Sequence, residues 1–531
     1  MVAGSWTEHN SRMSDAARPR PPRRLDPIGA TAILVYLGLF KFLLHLFTAG
    51  NYGYFRDELY YAAAGEHLDF GYVDFPPLVA LVAAATRALF GDSLLALHVF
   101  PALAGAVVVV LAGLIARELG GGRFAQGLAA LATLIPPTLL VFGTWLSMDA
   151  FDQLFWVLGT YVLVLILKHG RPRHWLVFGL VAGLGLLTKL TMLYFGLAVF
   201  VALLLTRARS HLLMPWPWLG GAISLLFLLP YVFWQISHGW PTLEFWSNYG
   251  EKVDKASPLE FLVEQIVTMQ PPTLPLWLAG LVYYLFAQEG RPYRTLGWVY
   301  VVLFVLFMVQ NVRFYFLAPA YPMLFAAGAV AFERFLARRG WRWPKPAYVA
   351  VLAISGIVVA PITVVPVLPV DALARITGAA GGDAGVQVET REVGQLPQNF
   401  ADRFGWENMV ATVAGVYEEL PPEERERACI LTGNYGEAGA VDFLGEEYGL
   451  PGAISGHNSY FVWGPGGCTG EVVISVGVSL ETLRGVFGQV GQAEMIRCRY
   501  CMPDEDNLPV YVCRDPRMAF EEAWQRFEHY D

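Results

Sequence analysis

Val99-Phe-Pro-Ala-Leu-Ala-Gly-Ala-Val-Val-Val-Val-Leu-Ala-Gly-Leu-Ile-Ala116 contains no charge, no amide and no hydroxyl. A soluble core helix shows a polar stripe every 3.6 residues, and this run shows none. As a helix it is long enough to cross about 30 Å of hydrocarbon. Thr295–Val309 reads almost the same way, and apolar runs of roughly 15–22 residues recur from about Leu25 to about Val370. Of the 531 residues, 55% are hydrophobic and only 15% charged, with mean hydropathy +0.44. Soluble domains carry about 25% charged residues, so the composition excludes a water-soluble enzyme. The net charge of −8 gives no basic surface for nucleic acid, and no nucleic-acid partner is expected.

Charge sets the expected topology. Residues 1–24 are polar and rich in Arg and Pro, and no small-residue cleavage site follows the first apolar run, so this segment reads as a basic cytoplasmic tail rather than a signal peptide. Basic residues recur at Arg117–Arg123, Lys168–Arg173, Arg207–His211, Arg291–Arg294 and Arg334–Lys345. The positive-inside rule places all of them in the cytoplasm, so each interval between them holds an even number of spans. Trp175–Thr206 is tight for two full spans and reads as two short helices broken around Gly185–Thr191. A last span over Tyr348–Val367 brings the total to about eleven and leaves the C-terminal part outside. The fold class expected is an α-helical polytopic membrane protein over residues 25–370, with a C-terminal soluble α/β domain over 371–531. Tyr52–Pro77, Gly143–Asp152 and Ser237–Pro275 become outward loops.

Residues 371–531 contain no Lys and have a net charge of about −15. Ala428–Thr432, Gly433–Tyr448, Glu471–Val476 and Leu480–Val490 read as strand, helix, strand, helix. All five cysteines (Cys429, Cys468, Cys498, Cys501, Cys513) lie here, on a face that permits disulfides. The odd number leaves at least one thiol unpaired, and the connectivity stays open. Cys498 and Cys501 form a C-x-x-C, which fits a disulfide or free thiols better than zinc or redox chemistry.

The first outward loop, within residues 50–92, reads Tyr54-Phe-Arg-Asp-Glu-Leu-Tyr-Tyr61 and then Gly71-Tyr-Val-Asp-Phe-Pro-Pro-Leu78. Carboxylates beside a span are costly unless they face water or a polar cavity. A plain role is also open: Asp57 caps a short helix Glu58–Ala64, and Asp74 opens the Pro-Pro turn into an amphipathic stretch Leu78–Phe90.

An Asp-Glu dyad after the first span, followed by an acidic-x-Pro-Pro-Leu turn, resembles the GT-C membrane glycosyltransferases that use polyprenyl-phosphate sugars. These include protein O-mannosyltransferases and the aminoarabinose transferases that modify lipid A. Ser147-Met-Asp-Ala-Phe-Asp152 looks like their acidic turn before the fourth span, and Gly185-Leu-Leu-Thr-Lys-Leu190 like their lysine-bearing break. Arg313-Phe-Tyr-Phe-Leu-Ala-Pro-Ala-Tyr-Pro322 is similar to their Arg-x-Tyr…Pro-x-Tyr-Pro segment. The stretches Asn434–Ala440 and His457–Pro465 resemble the outer domain of a bacterial branch. The resemblance runs from about Leu25 to Pro465. Phe75 departs from it: many relatives carry His or Lys before the Pro pair, so one basic phosphate contact is missing.

The resemblance implies an inverting hexosyl- or pentosyltransferase. It acts on a polyprenyl-phosphate-linked sugar and an envelope lipid, glycan or protein, at the outer face of the cytoplasmic membrane. Asp57 is then the general base, Glu58 orients the acceptor or the local helix, and Asp149 is the second family acid. Asp74 and Asp152 line the substrate site, although Asp152 also fits a helix cap. Lys189 and Arg313 clamp the phosphate, Arg offering two-pronged contacts and Lys a point charge. Tyr315 and Tyr321 contact the lipid phosphate. Each has a plain alternative: Lys189 snorkels to an interface, Arg313 flanks a span, and the tyrosines anchor an aromatic belt. The phosphate is already a good leaving group, so no cofactor is required. His238 and His457 lack a metal-ligand spacing such as H-x-x-x-H, so a divalent metal stays open but is not supported by the sequence. The competing reading is a lipid or sugar transporter or flippase. Transporters place charges at the midplane and often show paired halves, whereas the acids here lie in loops and no repeat is evident. The sugar and the acceptor stay open.

Overall fold

A computed structural model of the chain describes residues 29–252, 256–379, 392 and 394–531. The basic tail, residues 1–24, lies outside the described residues. Among the described residues, seven helices are long and apolar enough to cross a membrane: Ala30–Thr48, Leu94–Glu118, Met148–His169, Pro215–Ser237, Arg291–Gln310, Phe314–Arg339 and Pro344–Thr363. An eighth is counted if Thr191–Leu205 and Arg207–Leu213, bent by 112°, form one broken span. By length and composition seven helices, or eight, thus stand against the about eleven spans expected from charge, and several other apolar helices are too short to qualify. Arg123–Leu134, His174–Leu186, Thr191–Leu205 and Leu274–Leu285 have 12 to 15 residues each. At 1.5 Å per residue such helices cover only about 18–22 Å.

Local chemistry explains the short helices. Pro136 and Pro137 follow Arg123–Leu134 and end it. His174–Leu186 stops at Leu187, and the next helix starts at Thr191, so the expected break falls at Leu187–Leu190. The last long helix begins at Pro344 rather than Tyr348, because Pro is accommodated in a first helical turn. The helices share one apolar core, with Trp156, Phe195, Leu303, Phe325 and Val330 fully or almost fully buried.

The soluble domain holds a five-stranded sheet of order β2-β1-β3-β5-β4: β1 Ala428–Thr432, β2 Ala453–Ser455, β3 Val472–Val476, β4 Phe487–Ile496 and β5 Leu508–Pro516. β1, β2 and β3 run parallel, while β5 is antiparallel to both β3 and β4. The helices Trp406–Glu419 and Tyr435–Leu444 cover one face through Val410, Val413 and Val441. One expectation is corrected. The helix read over Leu480–Val490 ends at Val486, and Phe487 onward is strand, because pairing with β5 satisfies that backbone. Cys429 and Cys468 form a disulfide; Cys498, Cys501 and Cys513 are free thiols.

The two parts meet over the first loop. Helix Arg56–Glu66 of that loop packs directly on Tyr435–Leu444 of the soluble domain. Gly436 and Gly439 permit the approach: a Cβ on Gly439 would lie 2.8 Å from the Leu59 carbonyl carbon, and one on Gly436 would lie 2.3 Å from Arg56 Cγ. Leu59 is buried in the soluble domain's own core beside Trp406 and Val410.

Candidate active site

The first-loop helix begins two residues earlier than its sequence suggests, at Arg56 rather than Glu58. Its N-cap is Phe55, not Asp57. Glu58 Oε1 accepts the Phe55 N–H at 3.2 Å, and the Arg56 N–H donates to the Asp402 carbonyl at 3.1 Å. Capping thus falls to Glu58 and the soluble domain, and Asp57 is left with its carboxylate on the helix surface. That carboxylate is 22% exposed. Asp57 Oδ1 accepts the Tyr435 hydroxyl at 3.0 Å and lies 3.5 Å from Arg56 Nε.

Glu58 is fully buried. Oε2 accepts the Leu146 N–H at 3.0 Å and lies 3.1 Å from His98 Nε2. It therefore ties the first loop to the turn that precedes Asp149 and to the start of the second long helix. Arg403, 2% exposed, braces the same turn from the soluble domain. Its Nη2 donates to Thr144 Oγ1 at 2.7 Å, and its guanidinium lies 5.2 Å from the Trp145 ring centroid. Trp145 in turn stacks on Phe55 at 4.2 Å.

Asp149 opens the helix Met148–His169, and Lys189 sits in the break between His174–Leu186 and Thr191–Leu205. Lys189 Nζ donates to Asp149 Oδ1 at 2.6 Å and lies 4.4 Å from the Phe316 ring and 5.3 Å from the Tyr315 ring. The Arg313–Pro322 segment thus reaches the site through Tyr315 and Phe316. Asp152 is buried one helical turn below Asp149 and accepts Thr191 Oγ1 at 2.8 Å. Asp74 accepts the Tyr60 hydroxyl at 2.8 Å, and burial pushes it up to about 7. Burial, then the nearby carboxylates of Asp57, Asp74 and Asp149, push the Tyr61 hydroxyl well above its usual value.

Asp57, Asp74 and Asp149 thus lie close enough to Tyr61 to raise its hydroxyl, Lys189 joins them through Asp149, and Glu58 and Asp152 are buried. The structure does not bring Arg313 and Tyr321 into that group. Arg313 faces the Tyr249 ring at 5.9 Å and lies near Glu264. Tyr321 is fully buried; its hydroxyl bonds Tyr300 and Gln265, each at 3.0 Å. That placement fits a core residue better than a lipid-phosphate contact.

Four participants escaped the sequence reading: Tyr435, Arg403, His98 and Tyr61. Tyr435 lies inside the Asn434–Ala440 stretch, which marked its neighbourhood but not its target. Arg403 carries no motif at all. Among the described residues one histidine group has metal-like geometry: His457, His529 and Asp531, with ligand atoms within 4.8 Å of one another. His457 Nδ1 accepts the Tyr435 N–H at 3.3 Å, which leaves its proton on Nε2, 3.1 Å from Asp531. An Nε2 proton aimed at a carboxylate is the wrong tautomer for a metal ligand there.

Fold and site define a class, and comparison with known proteins agrees with it. Residues 74–234 match the dolichyl-phosphate-mannose-protein mannosyltransferase family. The fold is similar to ArnT from Cupriavidus metallidurans bound to undecaprenyl phosphate, with TM-score 0.58 and 17% identity over 91% of this chain and 98% of that one. It is also similar to the Archaeoglobus fulgidus oligosaccharyltransferase tethered to an acceptor peptide, with TM-score 0.50 and 13% identity over 78% of this chain and 63% of that one. No curated protein sequence matches the chain significantly. The chain is a multi-pass membrane protein with an ArnT-like fold, and residues 74–234 of it are similar to the dolichyl-phosphate-mannose-protein mannosyltransferases.

Proposed function

We propose that the chain is an inverting glycosyltransferase. It moves a sugar from a polyprenyl-phosphate donor to a hydroxyl on an envelope lipid, glycan or protein, at the outer face of the cytoplasmic membrane. One observation carries the reading: Asp57, a carboxylate 22% exposed, and Asp149, paired with Lys189 at 2.6 Å, both lie close enough to Tyr61 to raise its hydroxyl. The donor class is supported by the undecaprenyl phosphate bound to ArnT. The outer face is supported by the Cys429–Cys468 disulfide, which belongs to an oxidising compartment.

In the proposed step the acceptor oxygen attacks the anomeric carbon from the face opposite the phosphate. The new C–O bond forms as the anomeric carbon–phosphate oxygen bond breaks. Asp57 takes the acceptor proton, and the polyprenyl phosphate leaves with the bonding electron pair. Lys189, already at the site, shifts part of its charge from Asp149 to the departing phosphate. Phosphate leaves readily, so the proposed step requires no cofactor.

The test is transfer by the purified protein in liposomes, with a radiolabelled polyprenyl-phosphate sugar and an envelope fraction as acceptor. The reading expects label in the acceptor and free polyprenyl phosphate in equal amount. Label that crosses the bilayer still attached to polyprenyl phosphate would mark a flippase instead.

A further inference from the structure

We infer that Tyr435, carried by the soluble domain, is a positioning residue for Asp57. The inference rests on reading Asp57 as the base. Arg56 Nη2 donates to the Tyr435 hydroxyl at 2.8 Å, and that hydroxyl donates to Asp57 Oδ1 at 3.0 Å. A guanidinium, a phenol and a carboxylate thus form one directed chain, whose members lie 379 and 378 residues apart in sequence.

The placement of the phenol is built from several sides. Its ring lies 4.5 Å from the Tyr60 ring, nearly parallel, and 4.7 Å from the His457 ring. The Arg56 guanidinium carbon is 5.0 Å from its centroid. Its backbone N–H is held by His457 Nδ1, and Asn434 caps the helix it opens by accepting the Gly436 and Glu437 N–H groups at 2.9 Å each. Gly436 and Gly439 let that helix rest on the first-loop backbone. A tyrosine fixed this firmly holds the carboxylate it touches in one orientation.

The chain also answers an electrostatic difficulty. A base must be ionised, yet Asp57 shares its surroundings with the carboxylates of Asp74 and Asp149. Like charges disfavour ionisation, whereas a hydrogen bond donated to the charged form favours it. The groups that act on Asp57 include Arg56 and Tyr61 on its own helix, Asp74 in the loop and Tyr435 of the soluble domain, while Asp149, paired with Lys189, acts on the same Tyr61. Arg56 and Tyr435 supply stabilising contacts, an ion pair at 3.5 Å and a hydrogen bond at 3.0 Å. The soluble domain would then be part of the catalytic unit, and removing it would leave the base misdirected.

The test needs no substrate. Dicyclohexylcarbodiimide modifies carboxyls in their protonated form, and peptide mass spectrometry reads the adduct on Asp57. The full chain in detergent is labelled across pH 5–8. Asp74, which burial pushes up to about 7, labels in the same digest and marks an intact loop. Tyr435→Phe keeps the ring and its stacking, and the inference expects the Asp57 half-labelling point to move to higher pH. At a fixed pH above both half-labelling points, labelling should be roughly tenfold faster. Arg56→Gln, which reaches the same hydroxyl from the other side, should move the profile in the same direction. Wild-type Asp57 profiles in Tyr435→Phe, with Asp74 labelling unchanged, would overturn the inference. Failure of the base reading is distinguishable: Asp57→Asn would then retain transfer activity whatever the labelling shows.

Discussion

Lys189 and Asp149, forty residues apart in sequence, meet at 2.6 Å where a broken helix pair faces the start of the helix Met148–His169. Both side chains are nearly enclosed, at 10% and 14% exposure. Removing one partner of such a pair leaves an uncompensated charge, at a cost of about 3–5 kcal/mol when burial is complete and less here. Lys189→Met should therefore lower the melting temperature, and Lys189→Met with Asp149→Asn should recover part of the loss. Transfer activity should stay low in both. A single variant as stable as wild type would show that the pair contributes nothing to folding.

Arg313 allows a separate test of phosphate binding. Its Nε is buried and without a hydrogen-bond partner among the described residues. If it turns toward donor phosphate, Arg313→Lys converts a two-pronged contact into a point charge and should impair turnover at saturating donor. Wild-type turnover in that variant would make Arg313 an ordinary flank of its helix.

Glu437 gives the soluble domain a pH dependence of defined sign. Burial, and after it the neighbouring Glu505, holds its carboxyl well above the usual range. In the unfolded chain the group ionises near 4.5, whereas the folded domain retains the proton. The stabilisation is fully present below that pH and is lost as pH rises through the folded value. Glu437→Gln keeps an acceptor for the Gly433 and Asn434 N–H groups. The variant should flatten the fall in melting temperature between pH 4.5 and 7. An unchanged slope would contradict the assignment.

The free thiols should differ in reactivity. A hydrogen bond from the Cys501 thiol, more than any other influence, brings Cys498 down to about 7, while burial pushes Cys513 up to about 12. Iodoacetamide at pH 8 should therefore alkylate Cys498 first, with the thiolate as nucleophile. Equal rates at Cys498 and Cys513, followed by peptide mapping, would refute this.

The membrane part was legible because hydrocarbon thickness imposes a length on sequence: Val99–Ala116 could hardly be anything else. The short helices were less so. Leu274–Leu285 has 12 residues and becomes a helix of the bundle only by packing against Tyr321–Arg339. Strand β4 was missed because the signal for it lies in β5, its pairing partner. Asp57, Asp74, Asp149 and Lys189 were legible from local motifs, each carrying its own neighbours. Tyr435 and Arg403 were not. Their roles arise from docking, and neither the 378-residue separation from Asp57 nor the reach of Arg403 into the Thr144 turn leaves a trace in local spacing.

Asp57 is the centre of the account, and Asp57→Asn tests it most directly. The N-cap of its helix is Phe55, so the amide disturbs no cap. An amide cannot take the acceptor proton, and loss of general-base catalysis is worth roughly 10²–10⁴-fold. Glu58→Gln serves as comparison: Glu58 is buried and bonds only within the protein, so its loss should be read mainly in the melting temperature. The measurement is the single-turnover rate of sugar transfer from a radiolabelled polyprenyl-phosphate sugar, on protein whose melting transition matches wild type. The account predicts a folded Asp57→Asn protein slowed at least a hundredfold. A folded Asp57→Asn protein working within a few-fold of wild type would contradict it and leave Asp149 as the remaining candidate base.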